Sequence, residues 1–159
     1  MRLLFIISFI ATLIATGCRE KFEPKPLEYS KLLTGENSKS WQMIGIQFRE
    51  AGKASESYEL PLDDCVFDDL YIFYADESRT FVIDEGASKC DDADPQIYLT
   101  DKWAMINASA TLEFTIPILA GFPLPYIVKE LSESRLVAEI YFNDDKMSYR
   151  MIFKAVKSD

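Results

Sequence analysis

Beyond Trp41, apolar side chains recur at every second position in one segment after another, and that period admits little except β-strands half buried in a sheet. In 110–116, Leu112, Phe114 and Ile116 alternate with Thr111, Glu113 and Thr115, which predicts one face against a core and the other in water. Segment 135–142 repeats the pattern with Leu136, Ala138, Ile140 and Phe142, and 147–156 repeats it with Met147, Tyr149, Met151, Phe153 and Ala155. Asn143-Asp144-Asp145-Lys146 joins these two as a hairpin turn. Further strands are expected over 40–49, 69–74, 79–84, 102–106 and 126–131, for a total of about eight.

After Gly35 no segment keeps a helical period over about ten residues, which argues against a parallel α/β sheet. Short polar links such as Asp76-Glu77-Ser78 favour antiparallel neighbours in a meander. The fold class expected is all-β, a single antiparallel up-and-down β-barrel, because closure removes the sticky edges of an open sheet. A barrel of about eight strands is just wide enough to be filled by side chains or to hold one small ligand. Its inward aromatic residues are Trp41, Phe73, Phe81, Trp103, Phe114, Phe142, Tyr149 and Phe153. These either fill the interior as core or line a site for a small apolar molecule.

The first eighteen residues, MRLLFIISFIATLIATGC, resemble a bacterial lipoprotein signal. One basic residue, Arg2, precedes an apolar run over 3–14, shorter than the roughly 18 residues of a membrane span. Ala15-Thr16-Gly17-Cys18 resembles a lipobox, which implies cleavage after Gly17 and acylation of Cys18; an ordinary cleaved signal is the alternative. The chain then divides into a signal peptide over 1–17, a lipidated tether with a short helical turn over 18–34, and the barrel over 35–159. Pro24 and Pro26 suit an extended tether, and Gly35 can end the turn. Arg19, rather than an aspartate, follows Cys18, which under the enteric sorting rule places the anchor in the outer membrane.

The chain carries 26 acidic and 17 basic residues, a net charge of −9, and loss of the signal with its Arg2 makes the remainder one unit more negative. Nucleic acid and anionic lipid surfaces are therefore poor electrostatic partners, and membrane attachment falls to the acyl chains on Cys18. The sequence has no histidine, which excludes Ser/His/Asp and Cys/His catalysis and His-ligated metal sites, so no enzyme activity and no cofactor is expected. With Cys18 acylated, Cys65 and Cys90 remain in an oxidising compartment, which points to a disulfide, with two separate thiols as the alternative. Closing that loop stabilises a fold by roughly 3.5 kcal/mol on the chain-entropy relation.

Asp63, Asp64, Asp68 and Asp69 surround Cys65, and Asp91, Asp92 and Asp94 follow Cys90, so the disulfide would draw two acidic groups together. Carboxylates brought close can bind Ca²⁺, but the spacing matches no EF-hand loop, and no metal is assigned. Segment 116–126, IPILAGFPLPY, combines three prolines with apolar residues. It would cap the barrel mouth, line an entrance, present a hydrophobic patch, or pack back over the core.

Taken together, Leu32-Leu33-Thr34-Gly35, Lys39-Ser40-Trp41, Cys65 with Asp68-Asp69, Asp84-Glu85-Gly86 with Lys89-Cys90, and Lys102-Trp103 resemble the lipocalin-like lipoproteins of Bacteroidetes-type bacteria. The resemblance implies a lipocalin-like barrel more than a function. Two functional expectations follow: an envelope lipoprotein holding a small apolar ligand, or a non-catalytic accessory subunit with a protein partner in the envelope.

Overall fold

The computed structural model describes residues 26–50, 58–143 and 146–156. The signal segment, Cys18, the tether up to residue 25, and Asp144 and Asp145 of the expected hairpin lie outside them. Helix α1 spans Pro26–Thr34. It ends at Gly35, which adopts φ +64° and donates its N–H to the Lys31 carbonyl at 2.8 Å, the left-handed stop expected of a glycine there.

The strands are β1 (Ser38–Glu50), β2 (Tyr58–Glu59), β3 (Leu70–Tyr74), β4 (Thr80–Asp84), β5 (Ile97–Lys102), β6 (Ala104–Ile106), β7 (Thr111–Phe114), β8 (Leu124–Leu131), β9 (Arg135–Phe142) and β10 (Met147–Ala155), with a one-turn helix α2 (Asp64–Phe67) before β3. All paired neighbours are antiparallel, in the order β5-β4-β3-β1-β10-β9-β8-β7-β6, with β2 added beside β1. Only Trp103 separates the two ends of that series in sequence. Its N–H donates to the Arg79 carbonyl at 2.9 Å, so β5 and β6 act as one bent strand that pairs with β4 on one side and β7 on the other. The sheet is thereby nearly closed, as an antiparallel up-and-down barrel of about eight strands.

Alternation directs the burial as the period-two pattern predicts. Leu112, Phe114, Ile116, Leu136, Ala138, Met151 and Phe153 are all buried in one core with Trp41, Met43 and Ile46. Strand β5 escapes the pattern in sequence: Ile97 and Tyr98 are each about half exposed, Leu99 alone of its apolar residues packs on the core, and Asp101 takes the next partly buried place, so no apolar–polar alternation marks it. Strand β8 begins at Leu124 and runs through Pro125, which pairs with Glu113. Thr115 was expected to face water but is buried, because its hydroxyl donates to the Asp101 carboxylate at 2.6 Å across the closing seam.

Candidate functional site

The interior is filled. Phe73, Phe81 and Phe114 lie at mutual ring-centroid distances of 4.9, 5.4 and 5.5 Å, Tyr126 sits 4.8 Å from Phe114, and Phe153 sits 5.2 Å from Tyr71. Rings at these separations are in contact, edge to face or tilted. Of the eight aromatic candidates, Trp41, Phe73, Phe81, Trp103, Phe114 and Phe153 are therefore core. Phe142 and Tyr149 are half-buried and pair with each other at 5.8 Å near the far end of β9 and β10.

One end of this core is sealed by α1. Leu33 is fully buried and its carbonyl accepts the Trp41 indole N–H at 2.8 Å, while the Lys39 ammonium donates to the Leu32 carbonyl at 2.9 Å and lies over the Trp41 ring. Trp103 closes the same end by donating its indole N–H to the Tyr74 carbonyl at 3.0 Å. Both large polar-tipped rings have a partner for the polar tip, as burial requires.

The opposite end, where β3 begins, is built differently. The disulfide between Cys65 and Cys90, with Cα atoms 5.3 Å apart, ties α2 to the loop between β4 and β5. Asp68 reinforces that tie: one of its carboxylate oxygens accepts the N–H groups of Ala87 and Ser88 at 2.8 and 2.7 Å. Gly86 makes this approach possible, since it adopts φ +66° and a Cβ there would stand 2.3 Å from the Asp68 carbonyl oxygen. Gln96 completes the clamp by donating to Asp84 and to the Gly86 carbonyl, and its own carbonyl accepts the Glu85 N–H.

Glu85 is thus fixed on both sides, 4 % exposed, and its Oε2 accepts no hydrogen bond from any of the described residues; nor does the buried Oδ1 of Asp69. Both residues line a cavity of about 140 Å³ whose wall also includes Val66, Tyr71, Tyr98 and Ile118. Burial and the neighbouring carboxylates of Glu85, Asp68 and Asp84 push the Asp69 carboxyl up to about 7. Burial likewise pushes the Tyr71 and Tyr126 phenols up, and the Tyr126 hydroxyl is buried without a partner among the described residues.

The disulfide does gather acids, though only some of those expected. Asp69 and Asp94 reach the cavity, Asp68 clamps the turn, and Asp63, Asp64, Asp91 and Asp92 stay exposed. Glu85 is the functional candidate that sequence reading passed over as a landmark; its signal was a single acid between Asp84 and Gly86, with no pattern to mark it as inward. Among the described residues, no three acids or cysteines converge on a point where they could hold one metal ion. The proline-bearing segment 116–126 divides between two of its expected roles. Ile116, Leu119 and Leu124 pack on the core, whereas Ile118 and Phe122 are 42 % and 62 % exposed and Pro117 and Ile118 border the cavity. Compared with known proteins, the sequence matches no family model and no curated protein.

Proposed function

We propose that this chain is a non-catalytic cell-envelope lipoprotein, anchored in the outer membrane through acylated Cys18, that works at the disulfide-bearing mouth of a filled lipocalin-like barrel. The observation that supports it is the contact of Phe73, Phe81 and Phe114 with one another and with Tyr126 and Phe153, rings that occupy the interior where an enclosed ligand would lie. Binding therefore belongs at the end where buried polar atoms still lack partners. The absence of histidine supports a role without acid–base chemistry of the commonest kind. The lipobox-like Ala15-Thr16-Gly17-Cys18 supports the anchor.

A second reading, an accessory subunit of an envelope complex, draws on the exposed Ile118, which borders that mouth, and on the exposed Phe122 of the same segment. The test is native mass spectrometry of the protein purified from its own envelope, alongside fractionation of a C18A variant. The expected result is an acylated chain with no lipid or other apolar molecule retained in the barrel, and C18A lost from the membrane fraction. A stoichiometric apolar ligand overturns the mouth reading. C18A remaining in the membrane overturns the anchor.

A further inference from the structure

We propose that the cavity at the disulfide end binds a small primary alkylammonium group. The inference rests on the mouth reading and adds to it the chemistry of the ligand.

Four features converge. Ionised carboxylates only accept hydrogen bonds; Glu85 and Asp69 both line the cavity and each has one buried oxygen with no partner among the described residues, so the pair is short of donors, and a cation is the donor that also relieves their mutual repulsion. No basic side chain of the described residues forms an ion pair with either acid, and the ammonium of Lys89, on the same loop, is taken up by the Asp94 carbonyl. Because no three acids converge as metal ligands would, a bare divalent ion lacks its coordination shell here, whereas an ammonium needs only a few separated acceptors. The remaining wall, Val66, Tyr71, Tyr98 and Ile118, offers aliphatic and aromatic surface that suits a short hydrocarbon stem and the positive charge it carries.

The volume sets the scale. At about 140 Å³ the cavity is well below that of a site for a drug-sized ligand, so it takes a head group and a few methylenes. The frame is already in place: Glu85 is held by the clamp of Asp68, Gly86 and Gln96 whether or not its carboxylate has a partner. Such a group could belong to a free amine or to a lysine side chain, and both present the same chemistry to the cavity.

The experiment is a titration of the lipidated, ¹⁵N-labelled chain in non-ionic detergent at pH 8, following backbone amides. The probes are n-butylammonium chloride, Nα-acetyl-lysine N-methylamide, n-butanol and calcium chloride, at constant ionic strength. The two ammonium probes are expected to give saturable shifts confined to residues 66–71, 84–98 and 117–118, the tighter of them naming the source, while n-butanol gives none at tenfold higher concentration. E85Q is expected to weaken the ammonium affinity at least tenfold, and D69N, in case E85Q does not fold, at least threefold. Equal response to n-butanol, calcium binding at the same amides as tightly as the ammonium, or affinities within twofold of the parent in both variants overturns the proposal. Failure of the ammonium with an unliganded interior overturns only the ligand class, whereas an apolar molecule among the interior rings overturns the mouth reading itself.

Discussion

The two ends of the barrel have similar raw material and opposite accounting of polar groups. At the α1 end, Trp41 and Trp103 are buried and each indole N–H meets a backbone carbonyl. At the disulfide end, Glu85 and Asp69 are held among Tyr71, Tyr98 and Ile118, each with one buried oxygen that has no partner among the described residues. Buried polar groups are nearly always paired, so the first end is what stability alone produces, and the second departs from it. The departure is costly and is held in place by a disulfide and a glycine-dependent clamp, and that combination is what the proposed binding role rests on.

Substitutions should separate the ends in proportion to what each does. The largest effect is expected from W41A, which removes a fully buried ring and the partner of the Leu33 carbonyl; a loss of about 3–5 kcal/mol in urea unfolding is expected. A loss below about 1 kcal/mol would mean that the α1 end is not a seal. Next, replacing Cys65 and Cys90 by serine releases a loop of sequence separation 25 and should lower stability by about 2–4 kcal/mol. The near-ultraviolet circular dichroism of the interior rings is expected to survive, since the core does not depend on that tie; its disappearance would join the two ends into one unit.

G86A comes third. It places a side chain at φ +66° against the Asp68 carbonyl, and about 1–3 kcal/mol of destabilisation is expected, with loss of the amide signature of residues 84–88. The smallest effect is a pH slope. A carboxyl whose folded pKa lies above its unfolded value binds more protons when folded, so stability is greatest below the unfolded range and is lost as pH rises through the folded pKa. For Asp69, raised to about 7, the urea midpoint is expected to fall between about pH 4 and pH 8, and E85Q, which removes one of the repelling charges, should flatten that fall. An identical slope in E85Q would remove Glu85 from the electrostatics of the cavity.

Much of the barrel was legible because its strands obey the period of two. Segment 135–142 coincides with β9, and the alternating apolar residues of 110–116 and 147–156 are largely those that the core buries. Strand β5 was not legible, since Ile97, Tyr98 and Leu99 are apolar in succession, only Leu99 packs on the core, and the next partly buried place holds Asp101, so the residues show no apolar–polar alternation. The disulfide followed from cysteine arithmetic and is present. The character of the aromatic residues did not follow, because an inward ring reads the same in a filled barrel as in an open one; only the contacts among Phe73, Phe81 and Phe114 decide it. Glu85 was hidden for a related reason. Its burial depends on Asp68, nearly twenty residues away, folding over the turn at Gly86, and no local pattern announces that approach.

The central claim is that the interior is solid and the binding end is the one with unpartnered carboxylates. A high-resolution crystal structure of the lipidated chain, purified from its own envelope and soaked in n-butylammonium, tests it most directly. The expected result is interior rings in contact, without intervening density, and the ammonium nitrogen within hydrogen-bond distance of Glu85 and Asp69. Density for an acyl chain or other apolar molecule between Phe73, Phe81 and Phe114, with the Glu85 cavity closed, would contradict it.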